Sequence, residues 1–129
     1  MTDFIAHGKF SVTPYGEVLL CEIQGAWNKE GSELLIEELK SLVQGFAGKK
    51  WARVMDMQSW ELSTPDAISL MTDFSAWEDQ HGCVLRCYIG LNPIQQQLLE
   101  MKYQHSHKPQ HFSHTDTALT YAKQFLQRL

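Results

Sequence analysis

Apolar residues recur along the chain with two periods, and the alternation between those periods predicts the order of elements. Residues 9–14 and 17–24 read as two strands around Tyr15-Gly16, the second carrying the run Val18-Leu19-Leu20-Cys21 with Ile23 beyond it. A short Gly-containing turn between two such strands favours a hairpin. After Gly25-Ala26-Trp27, either Asn28 or Ser32 can cap a helix whose stripe is Leu35, Leu39, Leu42, Val43 and Phe46. Gly45 and Gly48 supply its stop signals. Residues 51–56 form the next strand, and Ser63-Thr64-Pro65-Asp66 opens a second helix with a hydroxyl cap, Pro in the first turn and an acidic side chain at the positive end. Its stripe is Ala67, Leu70, Met71, Phe74 and Trp77, and Gly82 ends it. Residues 83–91 are a third long strand. Asn92-Pro93 repeats the cap-then-Pro start, with Ile94, Leu98 and Met101 on one face, and residues 104–109 read as polar loop. A short edge strand at 110–112 precedes a last helix capped within Ser113-His114-Thr115-Asp116, with Ala118, Ala122, Phe125, Leu126 and Leu129 as its stripe.

The predicted order is therefore β-β-α-β-α-β-α-β-α, an α/β chain. Strands separated by helices need crossover connections, so a mixed β-sheet with helices packed on it follows. The 129 residues suit a single domain, residues 1–129, able to build one core without disulfides or structural metal. No internal repeat or low-complexity tract interrupts it.

Charge and cysteine content narrow the partners. Lys and Arg number 11 against 15 Asp and Glu, a net charge of −4, and the densest basic group is only Lys49, Lys50 and Arg53. Nucleic acid, which needs a basic surface, is not expected. Cys21, Cys83 and Cys87 contain no CxxC motif. Cys83 and Cys87, four apart on a strand, would stand about 13 Å apart, too far to bridge. Reduced, partly buried thiols fit a cytoplasmic protein. The first ten residues hold no apolar core of a signal peptide, and no run approaches a membrane span. A soluble chain that at most touches a membrane surface is expected.

The order of elements resembles the STAS fold of anti-sigma-factor antagonists, and more closely the SpoIIAA-like family of small stand-alone bacterial proteins. Three places carry the likeness: Arg53-Val54-Met55-Asp56-Met57 ending a strand ahead of a helix; Arg86-Cys87-Tyr88-Ile89-Gly90 running into a short helix; and Phe112-Ser113-His114-Thr115-Asp116-Thr117-Ala118 with Phe125-Leu126 further on. It spans the chain from about Lys9 onward. True antagonists place a phosphorylatable Ser at the start of the helix after the Asp-ending strand, beside another Ser and a Gly. Here Ser63 and Thr64 stand near that place as candidate phosphoacceptors, but Pro65 and Asp66 replace the small residues. Helix capping by itself accounts for both hydroxyls. The family also resembles CRAL-TRIO lipid-carrier domains, which implies an apolar ligand or a membrane-surface role by analogy of fold.

Chemistry of the catalytic kind has little to stand on. GxSxG, P-loop and GxGxxG motifs are absent. His105, His107, His111 and His114 cluster in sequence, but their spacing matches no established metal site, and Pro109 separates the pairs. Asp56 near Glu61 and Asp66 lacks a matching base or cation and reads as a turn residue. The expectation is a non-enzymatic protein without cofactor or metal.

What remains is apolar surface. Trp60, Leu62, Met71, Phe74 and Trp77 follow Asp56, and Leu98, Met101 and Tyr103 lie on the next helix. Met and Trp together make adaptable surface that opens around a ligand or partner; packing onto the sheet is the competing explanation. Trp60 stands out, since its neighbours Gln58, Ser59 and Glu61 read as polar loop. Two readings follow. One is a binding module for a small apolar or lipid-like ligand, with membrane-surface association, held beneath the helices at 64–81 and 93–104. The other is a STAS-type protein-interaction or regulatory domain switched at Ser63 or Thr64. A homodimer is expected in either case, since apolar helix faces are often buried that way.

Overall fold

A sequential run of parallel strands with right-handed crossovers must put every crossover helix on the same side of the sheet, and that rule organises this molecule. The structure, a computed structural model, describes residues 5–103 and 108–129. Its elements are β1 (Lys9–Tyr15), β2 (Val18–Trp27), α1 (Lys29–Gln44), β3 (Trp51–Ser63), α2 (Pro65–Gln80), β4 (Cys83–Ile89), α3 (Pro93–Lys102), β5 (Gln110–Phe112) and α4 (Thr115–Gln127). The five strands lie in chain order, β1 antiparallel to β2 and the remaining pairs parallel. The expected mixed α/β sheet is what forms.

The crossover helices α1, α2 and α3 cover one face; α4, following the last strand, returns over the other. Alternation along the strands divides the core accordingly. Leu19, Cys21, Ile23, Trp51 and Met55 point to the three-helix face and pack with Leu35, Leu39 and Val43 of α1 and Phe74 of α2. Val18, Leu20, Ala52, Val54, Leu85, Cys87 and Ile89 point to α4, where Ala118 and Ala122 bring that helix close to the sheet.

Local chemistry sets the boundaries. Asn28 caps α1, its side chain accepting from the Gly31 amide; Thr64 caps α2; and Asn92 with Gln95 forms a full capping box on α3. No side-chain bond caps α4, contrary to the cap expected from residues 113–116. Gly90 follows β4 at φ +91°, where a Cβ would stand 2.9 Å from the Gln58 backbone, so only glycine lets the end of β4 pass this close to β3.

Four further sequence expectations change. First, β3 does not end at Asp56 but continues to Ser63, because β2 also runs on to Trp27 and offers it a parallel partner, with register shifts between Glu22 and Gln24 and between Gly25 and Ala26. Trp60 is consequently a strand residue, not a loop residue. Second, the register shift between Trp51↔Cys83 and Ala52↔Leu85 gives β4 one extra residue, which brings Cys83, Arg86 and Tyr88 onto one face. Third, Ile94, Leu98 and Met101 of α3 do not pack onto the sheet; they are 71%, 56% and 60% exposed. The cavity side of α3 is formed by Gln95, Leu98, Leu99 and Lys102. Fourth, Leu129 falls beyond α4 and is exposed. The expected loop at 104–109 and the histidines His105 and His107 lie largely outside the described residues. Among the described residues no helix is long and apolar enough to cross a membrane, and no group of three or more His, Cys, Asp or Glu could hold a metal ion.

Candidate functional site

The three-helix face carries buried charge, and the geometry starts from the strand register. Arg53 of β3 lies beside Arg86 of β4, both directed under α2 and both essentially without exposure. Two guanidiniums side by side in a dry layer require an anion. Glu78 supplies it: along α2, positions 71, 74, 75 and 78 fall on one helical stripe, and Glu78 occupies the sheet-facing end of it, fully buried. Arg53 Nη2 donates to Glu78 Oε1 at 2.9 Å, and Arg53 Nε lies 2.8 Å from Oε2 without the alignment of a hydrogen bond. Arg86 Nε donates to the same Oε1 at 3.3 Å, and Arg86 Nη2 donates to the Ser75 carbonyl at 3.1 Å and to Asp79 at 2.9 Å.

Two tyrosines extend the network. Arg53 stands over the Tyr88 ring and Arg86 over the Tyr103 ring. The Tyr88 and Tyr103 hydroxyls are 3.2 Å apart, and Ser75 Oγ lies 3.0 Å from that of Tyr103. Burial pushes the Tyr88 phenol well above its ordinary pKa, with Arg53 opposing. Burial pulls on the Arg53 guanidinium in the direction of lower pKa, but Glu78 and the two phenols outweigh it and hold the value above the ordinary one. At neutral pH Arg53 is therefore charged and the Tyr88 phenol keeps its proton.

Beside this network a cavity of about 250 Å³ opens between the sheet and helices α2 and α3. Its walls are largely apolar: Met55, Met57 and Trp60 from β3, Met71 from α2, Leu98 and Leu99 from α3. Arg53, Tyr88 and Tyr103 supply its polar groups together with Lys102, where burial lowers the ammonium pKa against a smaller opposing effect of Tyr103. The volume is just under the roughly 300–1,000 Å³ of ordinary small-molecule sites.

The residues singled out in the sequence divide. Trp60, Met71 and Leu98 line the cavity. Phe74 is packed in the core, and Trp77 is stacked between Phe74 and His81, away from the cavity lining. Leu62 and Met101 are exposed and do not line it. Ser63 lines the cavity and accepts a hydrogen bond from Trp60 Nε1 at 3.0 Å. Thr64 accepts from the Ala67 amide at 3.4 Å and donates to the Asp66 carboxylate, which itself accepts from Ala67 at 2.9 Å. Asp66 thus already occupies the positive end of α2, and the Thr64 hydrogen bond holds its carboxyl below the usual range. Tyr103, placed with Leu98 and Met101 in the sequence, also lines the cavity; Arg53, Glu78, Arg86, Tyr88 and Lys102 were not singled out for this role, although an arginine inside each of two otherwise buried strands was a readable signal.

All three cysteines are buried and free, and burial pushes each thiol up to about 12, which leaves them unreactive.

This arrangement belongs to a known architecture: the chain has the SpoIIAA-like, STAS-type fold. An uncharacterized protein with a SpoIIAA-like fold from Shewanella loihica superposes with a TM-score of 0.73 at 13% identity, covering 95% of this chain and 98% of that one. The anti-sigma factor antagonist SpoIIAA in its unphosphorylated form follows with 0.67 at 9% identity, covering 90% and 98%. A variant of RsbS from Moorella thermoacetica gives 0.69 at 15% identity, covering 92% and 98%. No protein-family model and no curated protein matches the chain.

Proposed function

We propose that this protein is a non-enzymatic binding module whose ligand is a small, mainly apolar molecule held between the sheet and helices α2 and α3. The cavity itself carries this reading: a Met- and Trp-walled space with a few polar groups, which is the usual composition of a ligand site. Its size suits a small molecule and not an entire two-chain lipid. The buried charge cluster next to it lacks a substrate-facing base and serves to shape and polarise the site.

Native mass spectrometry of protein purified from its own cells tests this. A stoichiometric organic adduct is expected, lost on Met71→Trp, which fills the cavity. Clean apoprotein from cells, together with failure of any small aliphatic compound to bind saturably, would overturn the reading.

A second reading is a regulatory domain that acts through a protein partner, as the name anti-sigma factor antagonist implies for structural neighbours. The observation favouring it is the placement of two hydroxyl side chains at the start of α2, in a fold shared with a protein described in a phosphorylated form. A phosphate on Thr64 would meet the Asp66 carboxylate, so Ser63 is the better acceptor. Phosphopeptide mapping that covers Ser63 without a modified species removes the switch. The exposed Ile94 and Met101, with Leu98 at the cavity's edge, form the surface through which membrane contact or pairing with a second copy would be made; vesicle co-sedimentation and sedimentation velocity test these two separately.

A further inference from the structure

The cavity is one-sided in charge. Two cations, Arg53 and Lys102, line the cavity and no carboxylate does, although the chain as a whole carries −4. Glu78 engages Arg53 through Nη2 and, without the alignment of a hydrogen bond, through Nε, and among the described residues no acceptor meets Nη1. Glu78 is also shared with Arg86, so one fully buried carboxylate faces two buried guanidiniums, and Asp79, the second acid in contact with Arg86, is partly exposed. A buried donor left without an acceptor is unfavourable, and a charged one more so.

The hydroxyl chain can supply another donor. Ser75 Oγ lies 3.2 Å from the Met71 carbonyl and 3.0 Å from the Tyr103 hydroxyl. When Ser75 gives its hydrogen to Tyr103, Tyr103 gives its own to Tyr88, and the Tyr88 hydrogen is released to an acceptor in the cavity. When Ser75 turns to Met71, the chain runs the other way and the cavity sees no phenol proton. An acceptor in the cavity therefore selects the first arrangement without moving any heavy atom.

Resting on the binding-module reading, we infer that the ligand is a monoanionic amphiphile, of the carboxylate kind, with its anion at Arg53 Nη1 and the Tyr88 hydroxyl and its tail against Met55, Trp60 and Met71. A neutral ligand would give Arg53 Nη1 no charged acceptor; a cationic one would be repelled by Arg53 and Lys102. The volume of about 250 Å³ corresponds to roughly eight to ten heavy atoms at up to the ~30 Å³ that a water occupies, which places the whole acid, carboxyl carbon included, at about six to eight carbons.

The test is calorimetric titration of the full chain with octanoate, octan-1-ol and octylammonium at physiological salt. Octanoate should bind about tenfold or more tightly than octan-1-ol, the gain expected from charge-assisted hydrogen bonds, with octylammonium weakest. Equal affinity for octanoate and octan-1-ol would overturn the anionic preference and leave the binding module standing; no binding by any of the three would overturn both. Tyr88→Phe, which keeps the ring and its packing, should weaken octanoate roughly three- to tenfold and leave octan-1-ol unchanged. An unaltered octanoate affinity in a variant with wild-type near-ultraviolet circular dichroism would remove Tyr88 from the anion seat.

Discussion

The two faces of the sheet are built from the same strands and solve different problems. Toward α4, Val18, Leu20, Ala52, Val54, Leu85, Cys87 and Ile89 meet Ala118 and Ala122 in a layer made of apolar side chains. Small helix residues let α4 approach closely and close that face. Toward α1, α2 and α3, equally buried positions hold Arg53, Arg86, Glu78 and two tyrosines, and the helices stand off enough to leave a cavity. Apolar side chains of similar volume would stabilise this face at least as well, since buried ion pairs seldom outperform hydrophobic replacements. Charge at such a position is therefore better explained by what the face does than by what holds it together. The contrast also extends to the helices: α4 anchors through fully buried alanines, whereas α3 buries none of its own residues.

The largest test of that contrast is Glu78→Gln, which leaves Arg53 and Arg86 side by side with no full charge between them. Urea denaturation should show a loss of about 3–5 kcal/mol, as for removal of one partner from a buried pair. Replacing Arg53, Glu78 and Arg86 together by Leu, Leu and Met should instead be close to neutral or stabilising while losing ligand binding. A triple variant that still binds octanoate with wild-type affinity would show that the charged cluster is only structural. On the other face, Ala118→Leu should cost about 1–3 kcal/mol by overpacking and leave binding untouched. Thr64→Ala, which removes the α2 cap, should cost about 1 kcal/mol in the same measurement.

The smallest effect concerns the thiols, which are distributed over both faces. Each is raised from 9.0 to about 12 by burial. An acid whose folded pKa lies above its unfolded one holds its proton longer in the folded state, so the folded chain binds more protons between those values. The thiols accordingly have no effect on stability at pH 7, and stability falls as pH rises from about 9 toward 12. Native protein at pH 8 should react with a thiol reagent only at the rate of its own unfolding; fast labelling of any cysteine would contradict the burial.

The order of elements was legible because amphipathic stripes and caps are local. Asn28, Thr64 and Asn92 each precede an apolar repeat, and all three cap the helix that follows. The far half of β3 was not legible, because residues 57–63 are too polar to declare a strand; their partners on β2 make them one. The site was legible in part for a related reason. Trp60, Met71 and Leu98 were conspicuous as large apolar residues, but so were Phe74 and Trp77, which the core absorbs. Glu78 was hidden by its type, since an acidic residue at the end of an amphipathic helix ordinarily faces water. What turns it inward is the pairing of Arg53 with Arg86, which depends on strand register and on the extra residue in β4, neither of which a local pattern contains.

The most direct measurement is a map of backbone amide chemical-shift changes on titrating the labelled chain with octanoate. Changes should concentrate on β3 from Arg53 to Trp60, on Tyr88, and on α2 and α3 around Met71 and Leu99, and should be absent from Ala118 and Ala122 of α4. Changes centred on α4, or none at saturating octanoate, would contradict the assignment of function to the three-helix face.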